Sequence, residues 1–434
     1  MGINKAQKDN AHRLLQCLTV ALRPLLVEEL AELLAFDFQA SAKVWISTLK
    51  EDWRWDDEEE AVLSTCSSLI TIISRGNSRV VQFSHFSVKE YLTSPRLAQS
   101  PHGAVSRFHI DLKPAHTIMA QSCLATLLRL DDHSDPKVSP LVEYAAEHWV
   151  EHARFEKVSS RLRDGMDDLF DSSKPHFAAW LRVHDIDEPW FGLSPYQDGL
   201  GSPLYYAAFC GFYDLAERLI MKHPEQVNAI GGYNLFPLPA ALYNRHFHVA
   251  NLLYRHGAVV DVHGGEKCTP LYVASSHGQV DIIRWLLEHG ADVDACTAMG
   301  GDTPLSQAAY LLQLEAVRIL FAHHADINSR DINGWTSLYW ILAGRASAEK
   351  FVDMVRLLLE LGADPNICTN KHETPLHKAS SKGLLEAARL LLSHGAKVDE
   401  KDEDGNTPFQ LAASNGHVEL TNLLVEHGAV PPSP

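Results

Sequence analysis

The feature that most restricts the fold of this chain is a unit that recurs about every 33 residues. The sequence reads TPLYVASSHGQVDIIRWLLEHGADVD from Thr269, TPLHKASSKGLLEAARLLLSHGAKVD from Thr374 and TPFQLAASNGHVELTNLLVEHGAV from Thr407. Seven such units are marked by a proline or serine, at Pro203, Pro237, Pro270, Pro304, Ser337, Pro375 and Pro408. A fixed period of this length predicts a solenoid of stacked units.

Each unit has the residues expected of two short helices. Thr-Pro opens the first helix, since the hydroxyl caps it and the proline needs no N–H there. Small residues follow inside this helix (Ala207, Ala274, Ala379, Ala412). Glycines then allow the tight turn between the helices (Gly211, Gly278, Gly383, Gly416) and the end of the second helix (Gly257, Gly290, Gly362, Gly395, Gly428). Stacking would bury the apolar flank that each unit leaves open.

These strings resemble the ankyrin repeat, and they do so seven times between residues 201 and 434. The resemblance implies an ankyrin solenoid that binds protein and performs no catalysis. Three positions depart from the pattern, because Arg245, Leu312 and His324 stand where glycine is usual. Extra residues at 344–350 should lengthen the loop between the helices of the fifth unit. The polar Glu419, Thr421 and Asn422 indicate a solvated last unit.

The N-terminal part follows another pattern. Helices are predicted at 11–18, 27–34, 45–50 and 59–67. Two strands, 69–73 and 80–83, are separated by Ser-Arg-Gly-Asn-Ser, which predicts a hairpin, and a further helix is expected at 87–93. Helices followed by a hairpin and a helix favour a winged helix.

Five strings in this part resemble fungal NACHT–ankyrin receptors, which are NLR-like signal-transduction ATPases. They are LTVALRPLLVEELAELLAFDF, STCSSLITII, VVQFSHFSVKEYLTSPRLA, AHTIMAQSCLATLLRL and YAAEHWVEHA. The resemblance implies a mainly α chain with a winged-helix-like domain at 1–100, a helical connector at 101–200 and ankyrin repeats at 201–434. The ATPase itself would be missing, because the sequence contains no GxxxxGK[ST] phosphate loop.

The same resemblance gives His85 a candidate role. A winged-helix histidine at the junction of strand and helix contacts the nucleotide β-phosphate in such receptors, and His85 in FSHFSVKEYL matches it. Without a phosphate loop, His85 could sense nucleotide only on an ATPase domain from a partner or a longer gene product. The alternative is a structural or vestigial histidine.

Charge argues against nucleic acid and membrane as partners. The formal net charge is -17 at pH 7, whereas phosphate binding needs a basic face. Seven acidic residues between 51 and 60 precede the helix that would enter a DNA groove. The seven cysteines are scattered and contain no CxxC pair, and no apolar run is long enough to span a membrane. These features are typical of a reduced, cytoplasmic protein.

The histidines and polar residues give little support for metal binding or catalysis. Five of the 24 histidines (His256, His289, His323, His394, His427) end second helices, where an imidazole can cap carbonyl groups. His148 and His152 have the spacing of two zinc ligands on a helix, but no third ligand is evident. No GxSxG or HExxH motif occurs. We therefore expect no cofactor and no enzymatic activity.

A protein ligand is expected on the concave face, at the hairpin tips and the exposed sides of the first helices. The candidate contact residues are Tyr233, Leu235, Lys267, Met299, Asp302, Ile332, Asn333, Trp335, Tyr339, Lys371, Glu373, Glu403, Asp404 and Asn406. Tyr310 and Trp340 are expected nearby, with Trp340 on the core side of its helix. Aromatic residues are common interface hot spots, although several of these could instead pack between repeats. The acidic last tips would suit a basic patch on a partner.

Three functions remain open. The chain could be the ligand-sensing half of a fungal NACHT–ankyrin receptor, or a stand-alone ankyrin adaptor that uses its N-terminal part only as a cap. It could also be a nucleotide-dependent switch that docks on a separate NACHT ATPase. Binding of a NACHT protein to residues 11–94 would separate the receptor and the switch from the adaptor.

Overall fold

The computed structural model describes residues 5–37, 48–49, 62, 68–76, 78–100, 106, 108–131, 139–184, 186–187, 201–232, 236–263, 268–297, 300–344 and 349–431. The chain forms two compact units. The first comprises Met1–Tyr233 and His248–His256, and the second comprises Asn234–Phe247 and Gly257–Pro434. The domain boundaries at residues 100 and 200 remain predictions.

The first unit begins with the winged helix that the sequence predicts. Its helices are α1 (Lys5–Val20), α2 (Val27–Leu34), α3 (Phe86–Leu92) and α4 (Pro95–Ala98). Its strands are β1 (Leu25–Leu26), β2 (Phe36–Asp37), β3 (Thr48–Leu49), β4 (Ile70–Arg75) and β5 (Ser78–Phe83). The central β5 pairs antiparallel with both β1 and β4, and β4 and β5 form the predicted hairpin.

One predicted helix of this region is wrong where it can be compared. Thr48 and Leu49, within the helix expected at 45–50, are extended and pair antiparallel with Asp37 and Phe36. The buried Phe36 places this pairing beside the core, so a tertiary contact overrides the local pattern. The rest of 45–50 lies outside the described residues, as does the predicted helix at 59–67 apart from Val62, which is helical.

A helical connector follows the winged helix in the first unit. Its α-helices are α5 (Leu112–Leu127), α6 (Val142–Arg154), α7 (Arg163–Leu169) and α8 (His176–Val183), with a 3₁₀ helix at Phe155–Arg161. Trp149 and Trp180 are fully buried, and their ring centroids lie 5.3 Å apart in an edge-to-face arrangement. The Trp180 indole N–H donates to the Ala146 carbonyl (3.1 Å), so burial leaves this polar atom satisfied.

The repeats form the predicted helix pairs. These helices are α9 (Pro203–Cys210), α10 (Tyr213–Lys222), α11 (Pro237–Tyr243), α12 (Phe247–Arg255), α13 (Pro270–Ser276), α14 (Val280–Glu288), α15 (Pro304–Tyr310), α16 (Leu314–Ala322), α17 (Ser337–Ala343), α18 (Glu349–Glu360), α19 (Pro375–Lys382), α20 (Leu385–Ser393), α21 (Pro408–Ser414) and α22 (Val418–Glu426). A short 3₁₀ helix, Pro224–Asn228, follows α10. In the second unit, α13, α15, α17, α19 and α21 pack successively side by side.

Threonine caps fix where the first helices begin. The hydroxyl oxygens of Thr269, Thr303, Thr336, Thr374 and Thr407 each accept a hydrogen bond from the backbone N–H three residues later. Such a cap contributes about 1 kcal/mol. Close packing follows from the small residues inside these helices, since Ala274, Ala379 and Ala412 are fully buried.

The three residues that replace glycine in the pattern adopt the backbone conformation that is typical of glycine. Arg245, Leu312 and His324 have φ values of 60°, 59° and 69°, in the left-handed region where a side chain is strained. The usual glycines behave alike, for example Gly395 with φ 88°. The turn geometry is therefore imposed by the stacking of the helices, even where the residue does not favour it.

Among the described residues, no helix is long and apolar enough to cross a membrane.

Removing the strain at His324 should stabilise the second unit. His324 is exposed, so His324→Gly loses little packing, and we expect the free energy of unfolding to rise by about 1 kcal/mol. Urea unfolding followed by circular dichroism measures the change. The reciprocal control is Gly395→His, at a position where a Cβ would meet no atom within 4 Å. It should lower stability by a similar amount, and a neutral result for both would show that these turns carry no strain.

Candidate protein-interaction surface

Four hairpins of the second unit join successive repeats, at 297–303, 331–336, 369–374 and 402–407. In each, the N–H of the first residue donates to the carbonyl of the residue before the capping threonine, over 2.9 to 3.0 Å, for example from Asp331 to Trp335. Residues 298–299 of the first hairpin lie outside the described residues. In every hairpin the residue that accepts this bond is the one directly before the capping threonine. The hairpin and the helix cap are therefore fixed together.

Hydrogen bonds also join each hairpin to the next. The Ile332 N–H donates to the Gly300 carbonyl (3.1 Å), the Asn370 N–H to the Asn333 carbonyl (3.0 Å) and the Glu403 N–H to the Lys371 carbonyl (3.0 Å). We call the four hairpins together the hairpin strip. The strip brings together most of the predicted contact residues: Asp302, Ile332, Asn333, Trp335, Lys371, Glu373, Glu403, Asp404 and Asn406.

Asp331 organises the central hairpin. Its Oδ1 accepts from the backbone N–H of Asn333 (2.8 Å) and of Trp335 (2.7 Å). Its Oδ2 accepts from the Trp340 indole N–H (3.2 Å). Both carboxylate oxygens are thus used within the protein. Sequence reasoning did not select this residue, although the Asp-x-x-Gly pattern shared by Asp331 and Asp402 could have indicated it.

Aromatic rings cluster beside this hairpin. The Trp340 ring centroid lies 4.9 Å from that of Trp335 and 5.5 Å from that of Tyr310, both edge-to-face. Trp335 and Trp340 are half-buried, and Tyr310 is 41% exposed. We call Tyr310, Trp335 and Trp340 the aromatic cluster. It offers a large apolar area next to the polar strip.

Two aromatic side chains differ in burial from the sequence-based expectation. Trp340 is not fully in the core, because its half-buried ring packs on Tyr310 and its indole N–H bonds to Asp331. Tyr339, predicted as a contact, is only 1% exposed and its hydroxyl donates to the Glu373 carboxylate. Neighbouring residues of the helix α17 point about 100° apart, so the two rings meet different surroundings. Tyr339 can therefore act on a partner only by holding Glu373 in place.

Asp302 ends the preceding hairpin. Asp302 occupies in its hairpin the position that Trp335 occupies in the next, directly before the capping threonine. Its Oδ1 is shielded from solvent and has no hydrogen-bond partner among the described residues. Burial, and secondarily the negative charge of Asp331, raise the pKa of Asp302.

Basic side chains lie on the following repeat. The Lys378 ammonium is 5.7 Å from the centroid of the Tyr339 ring. The Lys382 ammonium donates to the carbonyls of Ala343 (2.5 Å) and Gly344 (2.7 Å), where it caps the end of α17. Burial, and then the charge of Lys378, lower the pKa of Lys382. The first helix of the sixth repeat therefore adds positive charge beside hairpins that carry Asp302, Glu373, Glu403 and Asp404.

Four predicted contacts, Tyr233, Leu235, Lys267 and Met299, lie outside the described residues.

His85, the nucleotide-sensing candidate, is exposed at the start of α3. Its Nδ1 accepts from the Ser87 N–H (3.3 Å) and lies 2.7 Å from the Ser87 hydroxyl, so the ring caps the helix. The neighbouring Phe86 is 76% exposed, and the two ring centroids are 4.4 Å apart. The geometry gives His85 a structural role and leaves its nucleotide role a prediction.

His152 is engaged in a buried hydrogen-bonded chain. Its Nε2 lies 2.9 Å from the Tyr144 hydroxyl, and its Nδ1 lies 2.8 Å from Nδ1 of His116. The Leu22 N–H donates to the Tyr144 oxygen (3.2 Å). With both histidines neutral, every link has one donor and one acceptor. Burial, and secondarily neighbouring histidines, lower the pKa of His152 to about 3. Burial, and secondarily Lys89, lower that of His116 to about 4.

Three of the five histidines expected to end second helices cap carbonyl groups. Nδ1 of His289, His394 and His427 lies 2.7 to 2.9 Å from the carbonyl oxygen four residues earlier. Within the part of the chain that the structure describes, no group of three or more potential ligands could hold a metal ion.

Comparison with known families identifies the repeats. Ankyrin repeats match in overlapping segments, 204–297, 240–331, 293–367 and 341–433, which together cover more than half of the chain. The chain belongs to the ankyrin-repeat family. Residues 1–106 match the winged helix domain of GPI inositol-deacylase. Ankyrin repeats and an N-terminal winged helix are thus both present, and the repeats support a protein–protein interaction module.

Individual relatives match parts of the chain. Azaphilone pigments biosynthesis cluster protein L of Monascus ruber is 31% identical over 274 residues, which are 58% of this chain and 56% of that protein. Neurogenic locus notch homolog protein 1 of Mus musculus is 40% identical over 76 residues, 18% of this chain and 3% of that protein. The chain thus spans about half the length of the first relative and a small part of the second.

Among solved structures, the ankyrin repeat domain of Bcl-3 is 27% identical with a TM-score of 0.46, covering 51% of this chain and 98% of that one.

Loss of the Asp331 carboxylate should unfold the central hairpin. Asp331→Ala leaves two backbone N–H groups and the Trp340 indole N–H without their acceptor, so we expect the second unit to lose about 2 kcal/mol. Urea unfolding measures the loss. Asp404→Ala, at an exposed tip, is the matched control and should change stability by less than about 0.5 kcal/mol. Equal effects would contradict an organising role for Asp331.

Acid should destabilise the first unit through the buried histidines. In the unfolded chain His152 binds a proton below its ordinary pKa of about 6.5, whereas in the folded protein it stays neutral down to about pH 3. Stability should therefore fall as pH decreases below 6.5, by roughly 3 kcal/mol at pH 4.5 from His152.

His152→Gln should flatten this dependence, whereas His256→Gln, at the surface, provides the matched variant. Thermal unfolding between pH 7.5 and 4.5 measures the slope. An unchanged slope in His152→Gln would show that other groups cause the acid sensitivity.

Proposed function

We propose that the chain binds a protein ligand through the hairpin strip and the aromatic cluster, which together we call the repeat surface. The observation that carries this proposal is the group of half-buried indoles of Trp335 and Trp340 beside the exposed Tyr310. Buried aromatic anchors surrounded by polar groups supply most of the energy of many protein interfaces. The mechanism is recognition without bond formation.

The polar part of the repeat surface supports this assignment. Exposed Ile332 (67%) and Asn333 project from the central hairpin, and the next tips carry Lys371, Glu403 and Asp404. Backbone hydrogen bonds fix these tips relative to one another, so a ligand would meet a preorganised surface. Preorganisation lowers the entropic cost of binding.

The test is capture of binding proteins with the full chain and matched variants, each read by mass spectrometry. Trp335→Ala and Trp340→Ala should lose partners that the wild type retains. Asn333→Arg, at an exposed tip, should also block them without disturbing the core. Tyr254→Ala, an aromatic that is 40% exposed on α12, is the control and should retain them. Identical partners for all variants would remove the repeat surface as the site.

We further propose that the chain is the ligand-sensing half of a fungal NACHT–ankyrin type receptor and works in the cytoplasm. The order of winged helix, helical connector and ankyrin repeats supports this. Exposed His85 and Phe86 support contact with a separate NACHT ATPase domain, where His85 would sense the nucleotide. A stand-alone adaptor would not need this surface.

Binding of a purified fungal NACHT domain, measured by calorimetry with ADP and with ATP, distinguishes the receptor from the stand-alone adaptor. The receptor predicts binding that Phe86→Ala weakens, and His85→Ala should remove any preference between the nucleotides. Leu311→Ala, an apolar side chain that is 42% exposed in the repeats, is the control. Absence of binding would favour the adaptor.

A further inference from the structure

We infer that the first unit binds a small zwitterionic ligand, an apolar α-amino acid, in a cavity between the helical connector and the first ankyrin repeat. The cavity has a volume of about 290 Å³, close to the lower end of the range usual for ligand pockets (roughly 300 to 1,000 Å³). It belongs to the first unit, whereas the repeat surface belongs to the second. The inference therefore goes beyond the proposed function.

Two helices that pack against each other, α7 and α10, form the walls of this cavity. The helix α7 contributes Arg163 and Met166, which lie about one turn apart. The helix α10 contributes Asp214, Leu215 and Glu217 from its first half. The cavity is thus a cleft between one helix of the connector and one helix of the repeats.

An ion pair ties the two walls together at Arg218 of α10. Its guanidinium donates to both carboxylate oxygens of Asp167 on α7 (2.6 to 3.1 Å) and to the Asp214 carbonyl (2.8 Å). All three of its nitrogens are therefore engaged within the protein. Arg218 lines the cavity and holds its walls, but it leaves the binding of a ligand to other groups.

The floor of the cavity is apolar. Met166, Phe212 and Leu215 line it and are otherwise buried. An aliphatic side chain placed on this floor would leave water, which is the main favourable contribution to the burial of apolar groups. The ligand should therefore carry an apolar group.

The rim carries opposite charges that do not meet. Arg163 on α7 and the pair Asp214 and Glu217 on α10 line the same cavity, and all three side chains are exposed. Within the described part of the chain, neither the Arg163 guanidinium nor the two carboxylates take part in an ion pair or a side-chain hydrogen bond. Both signs of charge are thus accessible to a ligand.

An α-amino acid combines the groups that this cavity can bind. Its carboxylate would accept hydrogen bonds from the Arg163 guanidinium, and its ammonium would donate to Asp214 or Glu217. Its side chain would lie on the apolar floor. A ligand with only one charge would satisfy one wall and be repelled by the other.

The test uses the full chain with ¹³C-methyl methionine and NMR, because Met166 lies in the floor of the cavity. Met166→Leu identifies its resonance among those of the six methionines. The probes are L-leucine, L-leucinamide, which lacks the carboxylate, and N-acetyl-L-leucine, which lacks the ammonium. We expect L-leucine at millimolar concentration to shift the Met166 resonance saturably, and each derivative to bind about tenfold more weakly.

Variants of the rim locate each contact. Arg163→Gln should weaken L-leucine about tenfold without weakening L-leucinamide, which has no carboxylate for this residue to bind. Combined Asp214→Asn and Glu217→Gln should weaken L-leucine without weakening N-acetyl-L-leucine. Arg161→Gln, at an exposed arginine that does not line the cavity, is the matched control and should retain binding of L-leucine.

Three outcomes would overturn the inference. L-leucine could leave the Met166 resonance in place. L-leucinamide or N-acetyl-L-leucine could bind as tightly as L-leucine, which would show that one of the two charges is not recognised. Arg163→Gln and Arg161→Gln could bind L-leucine alike, which would show that Arg163 is not a contact.

Discussion

The repeat surface depends on the backbone hydrogen bonds between successive hairpins. Because Ile332, Asn370 and Glu403 each donate to the preceding hairpin, residues separated by more than 30 positions in sequence form one strip. The buried threonine caps set the same register from the helical side. His377 adds a third link, since its Nε2 lies 3.1 Å from the Asn406 carbonyl of the following repeat. The stacking of successive repeats thus determines where the residues of the repeat surface lie.

The stacking also explains why the solenoid tolerates unsuitable residues at its turns. Arg245, Leu312 and His324 hold left-handed backbone although none of them is glycine. Each such turn costs about 1 kcal/mol, which burial of apolar side chains such as Leu305 and Leu320 can offset. A repeat fold distributes this cost over many interfaces, so no single unit has to meet the pattern in full.

In the first unit, a chain of hydrogen-bonded polar groups connects the winged helix to the helical connector. The Tyr144 hydroxyl links the Leu22 N–H, which follows α1, to His152 of the connector, and His152 continues the chain to His116 on α5. Arg23 lies 5.0 Å over the Tyr144 ring and forms a bidentate ion pair with the buried Glu29 of α2. These contacts join winged helix and connector through groups whose protonation must stay fixed, and sequence spacing alone had presented His148 and His152 only as a possible metal pair.

The sequence by itself determined the repeat number, the helix pairs, the caps and the winged-helix hairpin, because these follow from local periodicity, turn residues and capping chemistry. It also indicated most of the strip, since tip positions have a fixed offset from each proline. Only the tertiary structure decided that Tyr339 is fully buried while Trp340 is half-buried. It also decided that both oxygens of Asp331 are hydrogen-bonded while Asp302 has an unpaired oxygen, and that Thr48–Leu49 is extended. These differences arise from contacts between residues far apart in the chain, and local patterns carry no information on them.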